Sequence, residues 1–126
     1  MLERLEDFLF NVDDLQLGIF RELTKGITTR IFPGDEAMVS IVRVEPYAKG
    51  MIHSHTEEQW GFLIRGSVTR LQGEGSFEAH EGDFWRTPGG VMHGVIGGAS
   101  GAVILDVFAP PRPDYLKSGI GFGKEQ

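Results

Sequence analysis

Turn-forming residues punctuate this chain roughly every 8–12 positions, and the apolar stretches between them are too short for ordinary helices. Glycine supplies most of the punctuation: 18 of 126 residues, about 14% against a usual figure of about 7%. The glycines are scattered between apolar runs, so low complexity does not account for them. Tight turns between short strands do. That spacing predicts an all-β sandwich or barrel, and the length fits one domain.

The β pattern is read from Gly26 onward. Thr28 to Phe32 is β-prone and ends at the turn Pro33-Gly34-Asp35. Met38 to Glu45 alternates, with Val39, Ile41 and Arg43 on one face and Met38, Ser40, Val42 and Val44 on the other. Trp60 to Ile64 and Val68 to Leu71 flank Arg65-Gly66-Ser67, which predicts a hairpin. Gly73-Glu74-Gly75 predicts a second turn, with a short return strand over Ser76 to Ala79. Glu81-Gly82-Asp83 turns into Phe84 to Thr87, and Gly97 to Gly101 separates Met92 to Ile96 from Ala102 to Phe108. Leu2, Leu5, Phe8 and Leu9 fit one or two N-terminal helical turns, or equally an extended arm packed on another subunit. After Pro110-Pro111-Arg112-Pro113 the tail reads as peripheral, with one helical turn at Asp114 to Lys117. No repeat and no domain linker is seen.

Charge and composition exclude several function classes. The net charge of −6 argues against nucleic acid, which calls for a basic footprint. The longest apolar runs, such as Ala102 to Leu105, fall far short of the roughly 18 residues of a membrane span. The mixed-charge start, Met1 to Asp7, lacks the apolar region of a signal peptide. The absence of cysteine removes disulfides, thiolate metal sites and a cysteine nucleophile, and fits a reducing cytoplasm. A cytoplasmic protein without membrane or nucleic-acid partners is therefore expected.

Four histidines remain. His53 and His55, two apart, would leave the same face of a strand. Two imidazoles on the concave face of a sheet are half of a metal site. Gln59 keeps the same parity, and His93 lies on a later strand just after Pro88-Gly89-Gly90. A His-x-His pair alone is equally compatible with hydrogen-bonded or surface histidines. His80, in Glu78-Ala79-His80-Glu81, has no partner spacing and reads as surface.

The stretch Gly50 to Gly66, containing His53-Ser54-His55-Thr56-Glu57-Glu58-Gln59, resembles the first motif of the cupins, G(x)5HxH(x)3–4E(x)6G. Gly82 to His93 resembles the second, G(x)5PxG(x)2H(x)3N, and matches every fixed position through His93; Gly97 replaces the usual Asn. The resemblance implies a single-domain cupin over residues 1–126: a double-stranded β-helix, or jelly-roll barrel, with a core from about 26 to 110, a short N-terminal arm and a short C-terminal helical turn. It implies one divalent transition metal (Zn, Ni, Fe, Mn or Cu) held by His53, His55, Gln59 and His93. Two departures matter. Only two residues separate Gly50 from His53, and Gln59 stands where the family has Glu. Glu58 is the rival fourth ligand, of opposite parity. A neutral amide in place of a carboxylate leaves the metal more positive, which favours Lewis-acid chemistry on a small anionic or hydroxylated substrate.

A narrower likeness concerns the small cupins of pectin and alginate breakdown, which carry an "HSHxxEQ" first motif and a "DVFsPpReDyL" tail. Here the tail is Asp106 to Leu116, with Pro113 where that group has Glu. The group opens 4,5-unsaturated uronates to linear keto-uronates. The likeness implies Asp106 as a general acid/base and Phe108 as a pocket wall; a turn cap or arginine partner, and plain core, are their bland alternatives. Arg86 would clamp the substrate carboxylate if it faced inward, and would be a solvated charge if it faced out. Trp60, Phe62, Trp85 and Met92 are not sorted between pocket and core. A lyase- or isomerase-type enzyme competes here with a quercetinase-like metal-dependent dioxygenase and with a non-catalytic small-molecule-binding cupin. A homodimer is expected, because small cupins pair through an arm and a sheet face, and the apolar set Leu2, Leu5, Phe8, Leu9 and Phe10 needs burial.

Overall fold

The computed structural model describes residues 4–123. Eight strands form one sheet: β1 (Ile19–Thr24), β2 (Ile27–Pro33), β3 (Met38–Val44), β4 (Glu58–Gln72), β5 (Gly75–His80), β6 (Phe84–Thr87), β7 (His93–Ala109) and β8 (Gly119–Ile120). Their order is β5-β4-β7-β3-β2-β1-β8, with β6 also paired to β4. The fold is the all-β jelly-roll barrel that the family resemblance implies, within the sandwich-or-barrel class that the turn spacing predicts. A short 3-10 turn at Leu5–Phe8 precedes it and another at Pro113–Leu116 follows β7. The N-terminal turn covers only part of the expected helical stretch, and Leu2 lies outside the described residues.

Alternation builds the core. On β3 the two expected faces separate, and Met38, Ser40, Val42 and Val44 are the ones that face inward. Ile27, Ile31, Leu63, Val68 and Ile104 complete the apolar interior.

Three expectations are corrected. No hairpin forms at Arg65-Gly66-Ser67, because β4 runs unbroken through it; likewise β7 runs through Gly97 to Gly101. The two long strands pair from Glu58 opposite Ala109 to Gln72 opposite His93, with register shifts near Arg65 and Gly66. Gly66 and Gly101, at φ 86° and 72°, bend the strands here without reversing them. A side chain at Gly66 would put its Cβ 1.9 Å from the Gly101 carbonyl oxygen. Second, strand pairing begins before Gly26, at Ile19; the inward arginine of β1, Arg21, breaks the apolar alternation that would have marked it. Third, the tail is not peripheral. Tyr115 and Phe122 are buried in the core cluster, and β8 pairs parallel with β1. Arg21 donates to the carbonyls of Asp114, Lys117, Ile120 and Gly121 at 2.9–3.2 Å.

Candidate metal centre

The barrel interior holds a cavity of about 40 Å³ whose lining includes His53, Gln59, His93, Asp106 and Phe108. His93 opens β7. His53 lies in the segment before β4 and is clamped to His93 by two backbone hydrogen bonds of 2.9 Å, each residue donating its N–H to the other's carbonyl. The rings of His53 and His93 are 4.5 Å apart, those of His55 and His93 4.9 Å, and those of His53 and His55 5.7 Å. One nitrogen from each ring falls within 4.8 Å of the others.

The backbone fixes how these rings are presented. Each Nδ1 faces a carbonyl two residues away: Met51 for His53, Glu57 for His55, Val91 for His93, at 2.9–3.1 Å. Nδ1 therefore carries the proton in each neutral ring, and the Nε2 lone pairs are left for a ligand. Burial, the largest influence on all three, lowers His53 and His55 to about 4 and His93 to about 2, so all are neutral near pH 7. Gln59, 4% exposed on β4, places its amide oxygen 3.0 Å from His55 Nε2. Two acceptors facing each other call for a cation between them. His93 Nε2 is buried with no partner. The donor set thus fits a divalent transition metal, which the three imidazoles could hold, with the Gln59 amide beside them.

Strand parity separates Gln59 from its rival. Glu58 points to the outer face of β4, where it ion-pairs with Arg86 of β6. Arg86 is exposed and does not line the cavity, so it is in no position to clamp a ligand there. His80 is exposed, as expected. Asp106 and Phe108, two apart on β7, both face the cavity. The Phe108 ring lies 5.4 Å from that of His55 and 5.6 Å from that of Tyr115. Asp106 is buried, and desolvation raises its carboxyl to about 6, opposed by Arg70, by a hydrogen bond from Gln59 and by Arg112. Of the unsorted apolar side chains, Trp85 lines the cavity, while Trp60, Phe62 and Met92 are exposed.

The sequence reading assigned no role to two buried arginines, Arg70 on β4 and Arg112 in the tail, at 5% and 3% exposure. Arg112 stacks over Tyr115 at 4.0 Å and donates to the Phe122 carbonyl at 2.6 Å. Among the described residues, four buried side-chain polar atoms lack a hydrogen-bond partner: Arg70 Nε, Trp85 Nε1, His93 Nε2 and Arg112 Nη1. All four belong to residues lining this one cavity. Glu57, 4.0 Å from Arg112 Nε, and Asp106 offset the two guanidinium groups, and the donors left unpartnered suit a ligand rich in acceptor oxygens.

The geometry defines a jelly-roll barrel with three histidines that could hold a metal, and comparison with known proteins gives its family. The cupin domain family model matches residues 40–108. The pectin degradation protein KdgF of Dickeya dadantii is 31% identical over 100 residues, covering 77% of this chain and 90% of that protein. Oxalate decarboxylase OxdC of Bacillus subtilis is 36% identical over 88 residues, but the chain spans only 23% of its length. The solved structure of KdgF from Halomonas sp. superposes with a TM-score of 0.70 at 24% identity, covering 75% of this chain and 88% of that one. A variant of Bacillus subtilis oxalate decarboxylase superposes with a TM-score of 0.70 at 26% identity, covering 80% of this chain and 29% of that one. The chain belongs to the cupin family.

Proposed function

We propose that this chain is a metal-dependent enzyme that isomerises 4,5-unsaturated uronates to their linear keto forms. The reading is carried by the position of Asp106, a buried carboxyl in the same cavity as the three converging imidazoles. The likeness to a pectin degradation protein over 90% of its length supports the substrate class. His53, His55, Gln59 and His93 would hold the ion. When bound, it would supply Lewis acidity toward substrate oxygens.

The reaction is redox-neutral. The bond between C1 and the ring oxygen breaks, the anomeric hydroxyl loses its proton to leave an aldehyde, and the enolate left on the former ring oxygen takes up a proton at C4 and becomes the C5 ketone. Substrate and product have the same atoms. Asp106 is the group placed to move that proton: its carboxyl, raised to about 6, both holds and releases protons near neutral pH. Phe108 and Tyr115 wall the cavity beside it and exclude water. Arg112 stacks on both rings, and its Nη1, buried without a partner, is a donor available to a substrate oxygen.

The test is to follow the conjugated double bond of an unsaturated galacturonate by absorbance. Metal-loaded protein should speed its loss well above the spontaneous rate without consuming oxygen. An unchanged rate removes the reaction, and oxygen uptake would instead favour the dioxygenase reading. The chain is further proposed to pair as a homodimer through the apolar outer face of β4, β6 and β7, where Trp60, Phe62, Phe84, Leu105 and Val107 line an open groove. A monomeric mass in solution at micromolar concentration would contradict it.

A further inference from the structure

Arg70 sits at an inward position on β4, two residues beyond the core residue Val68. It is a charge inside an apolar barrel, and burial works against its protonated form. Among the described residues the only side chain that accepts from it is Thr87, whose hydroxyl takes the Nη2 hydrogen bond at 2.8 Å. That hydroxyl in turn donates to Gln72 Oε1 at 2.7 Å, and Gln72 Nε2 donates to the Arg86 carbonyl at 2.9 Å. The chain of bonds ties one corner of the guanidinium to β6 and leaves Nε buried and unpartnered. Asp106 attracts Arg70 but is hydrogen-bonded to Gln59.

A second orphan donor lies beside it. The guanidinium carbon of Arg70 is 5.8 Å from the centre of the Trp85 ring, and Trp85 Nε1 is likewise buried without a partner. Gly61 makes room for that indole: a Cβ there would come within 2.6 Å of Trp85 Nε1 and Cε2. Neither donor is a metal ligand, and neither is used by the proton transfer described above. Leaving two buried N–H groups without acceptors costs stability unless a ligand supplies them.

We propose that Arg70 and Trp85 form the carboxylate subsite of this cavity, with the guanidinium Nε–H and the indole N–H donating to the acidic end of the substrate. The role that the sequence suggested for Arg86 thereby falls to an arginine on the opposite face of the sheet. Guanidinium matches carboxylate geometry, and the tether to Thr87 presents it already oriented. The subsite rests on the proposal that the substrate is an acid, but not on which reaction follows.

The experiment measures binding of D-galacturonate and of neutral D-galactose to zinc-loaded protein by calorimetry, together with turnover of the unsaturated uronate. Wild type should prefer the acid. Arg70→Met should cut that preference about ten- to a hundredfold, and raise KM more than it lowers kcat, with metal content unchanged. Trp85→Phe, which keeps the ring and loses the N–H, should cut it roughly threefold to tenfold. A folded, metal-loaded Arg70→Met protein that still prefers the acid overturns the subsite. Should that variant not fold, Trp85→Phe decides: an unaltered preference overturns it. Wild type that does not distinguish the acid from the neutral sugar also overturns it. Arg70-dependent acid binding without turnover would sink the isomerase reading alone and leave the subsite standing.

Discussion

Each residue of the site is set by a different local interaction. The Nδ1–carbonyl contacts choose the tautomer of all three histidines, burial keeps them neutral, and the hydrogen bond from Gln59 steadies Asp106. Asp106→Asn keeps the shape but cannot carry a proton, so kcat should fall by about 10²–10⁴ with little change in KM; steady-state kinetics would check it, and a variant of undiminished kcat would remove Asp106 from the proton path. The histidines also predict a pH dependence for the metal-free protein. They titrate at about 4, 4 and 2 when folded, against 6.5 otherwise, so on acidification the unfolded chain takes up protons first and stability falls. Asp106 works the other way: between 3.8 and about 6 the folded state holds a proton that the unfolded chain has released. Three imidazoles outweigh one carboxyl. The urea midpoint of metal-free protein should therefore drop between about pH 7 and about pH 4.5. A flat midpoint over that range would mean that the trio is not buried and neutral.

At the scale of elements, the long strands β4 and β7 organise the site, since β4 carries Gln59 and Arg70 while β7 carries His93, Asp106 and Phe108. Their pattern was only half legible in the sequence. The parity of Met38 to Val44 and of the pair Asp106 and Phe108 followed directly from two-residue alternation. So did the inward placement of Gln59 and the outward one of Glu58. Glycine was ambiguous: the same residue that opens a turn also bends a strand, and Gly66 bends. Arg70 escaped because a charge two places after Val68 reads as solvated unless the strand is known to be covered on that face. The close approach of β4 and β7 at the bend yields a paired test. Gly66 and Gly73 both have positive φ, but only at Gly66 does an added Cβ meet backbone, at 1.9 Å; at Gly73 nothing lies within 4 Å. Gly66→Ala should cost about 3 kcal/mol or more and Gly73→Ala about 1 kcal/mol, read from denaturant unfolding. Equal losses would show that the close approach is not what position 66 demands.

The whole molecule closes its cavity with its own C-terminal segment. Tyr115 and Phe122 complete the lining, and the Phe122 ring sits 4.7 Å from that of His53. A space of about 40 Å³ holds only a few waters, so a six-carbon acid needs more room, and the tail wall is one element that can provide it. What holds the wall is a residue from the other end of the chain. Arg21, 6% exposed on β1, binds four tail carbonyls, the Lys117 carbonyl among them at 3.0 Å. Hydrogen bonds from a buried charge contribute more than neutral ones, and methionine at position 21 would leave those carbonyls without their donor. Arg21→Met should therefore lower global stability by on the order of 3 kcal/mol and free the tail locally by a comparable amount. Lys117 is exposed, so trypsin reports the local opening directly. Cleavage after Lys117 should accelerate at least tenfold in the variant under conditions where the barrel stays folded. If the rate does not change, the packing of Tyr115 and Phe122 and the bond from Arg112 to the Phe122 carbonyl keep the wall shut without Arg21, which then serves only the sheet edge between β1 and β8.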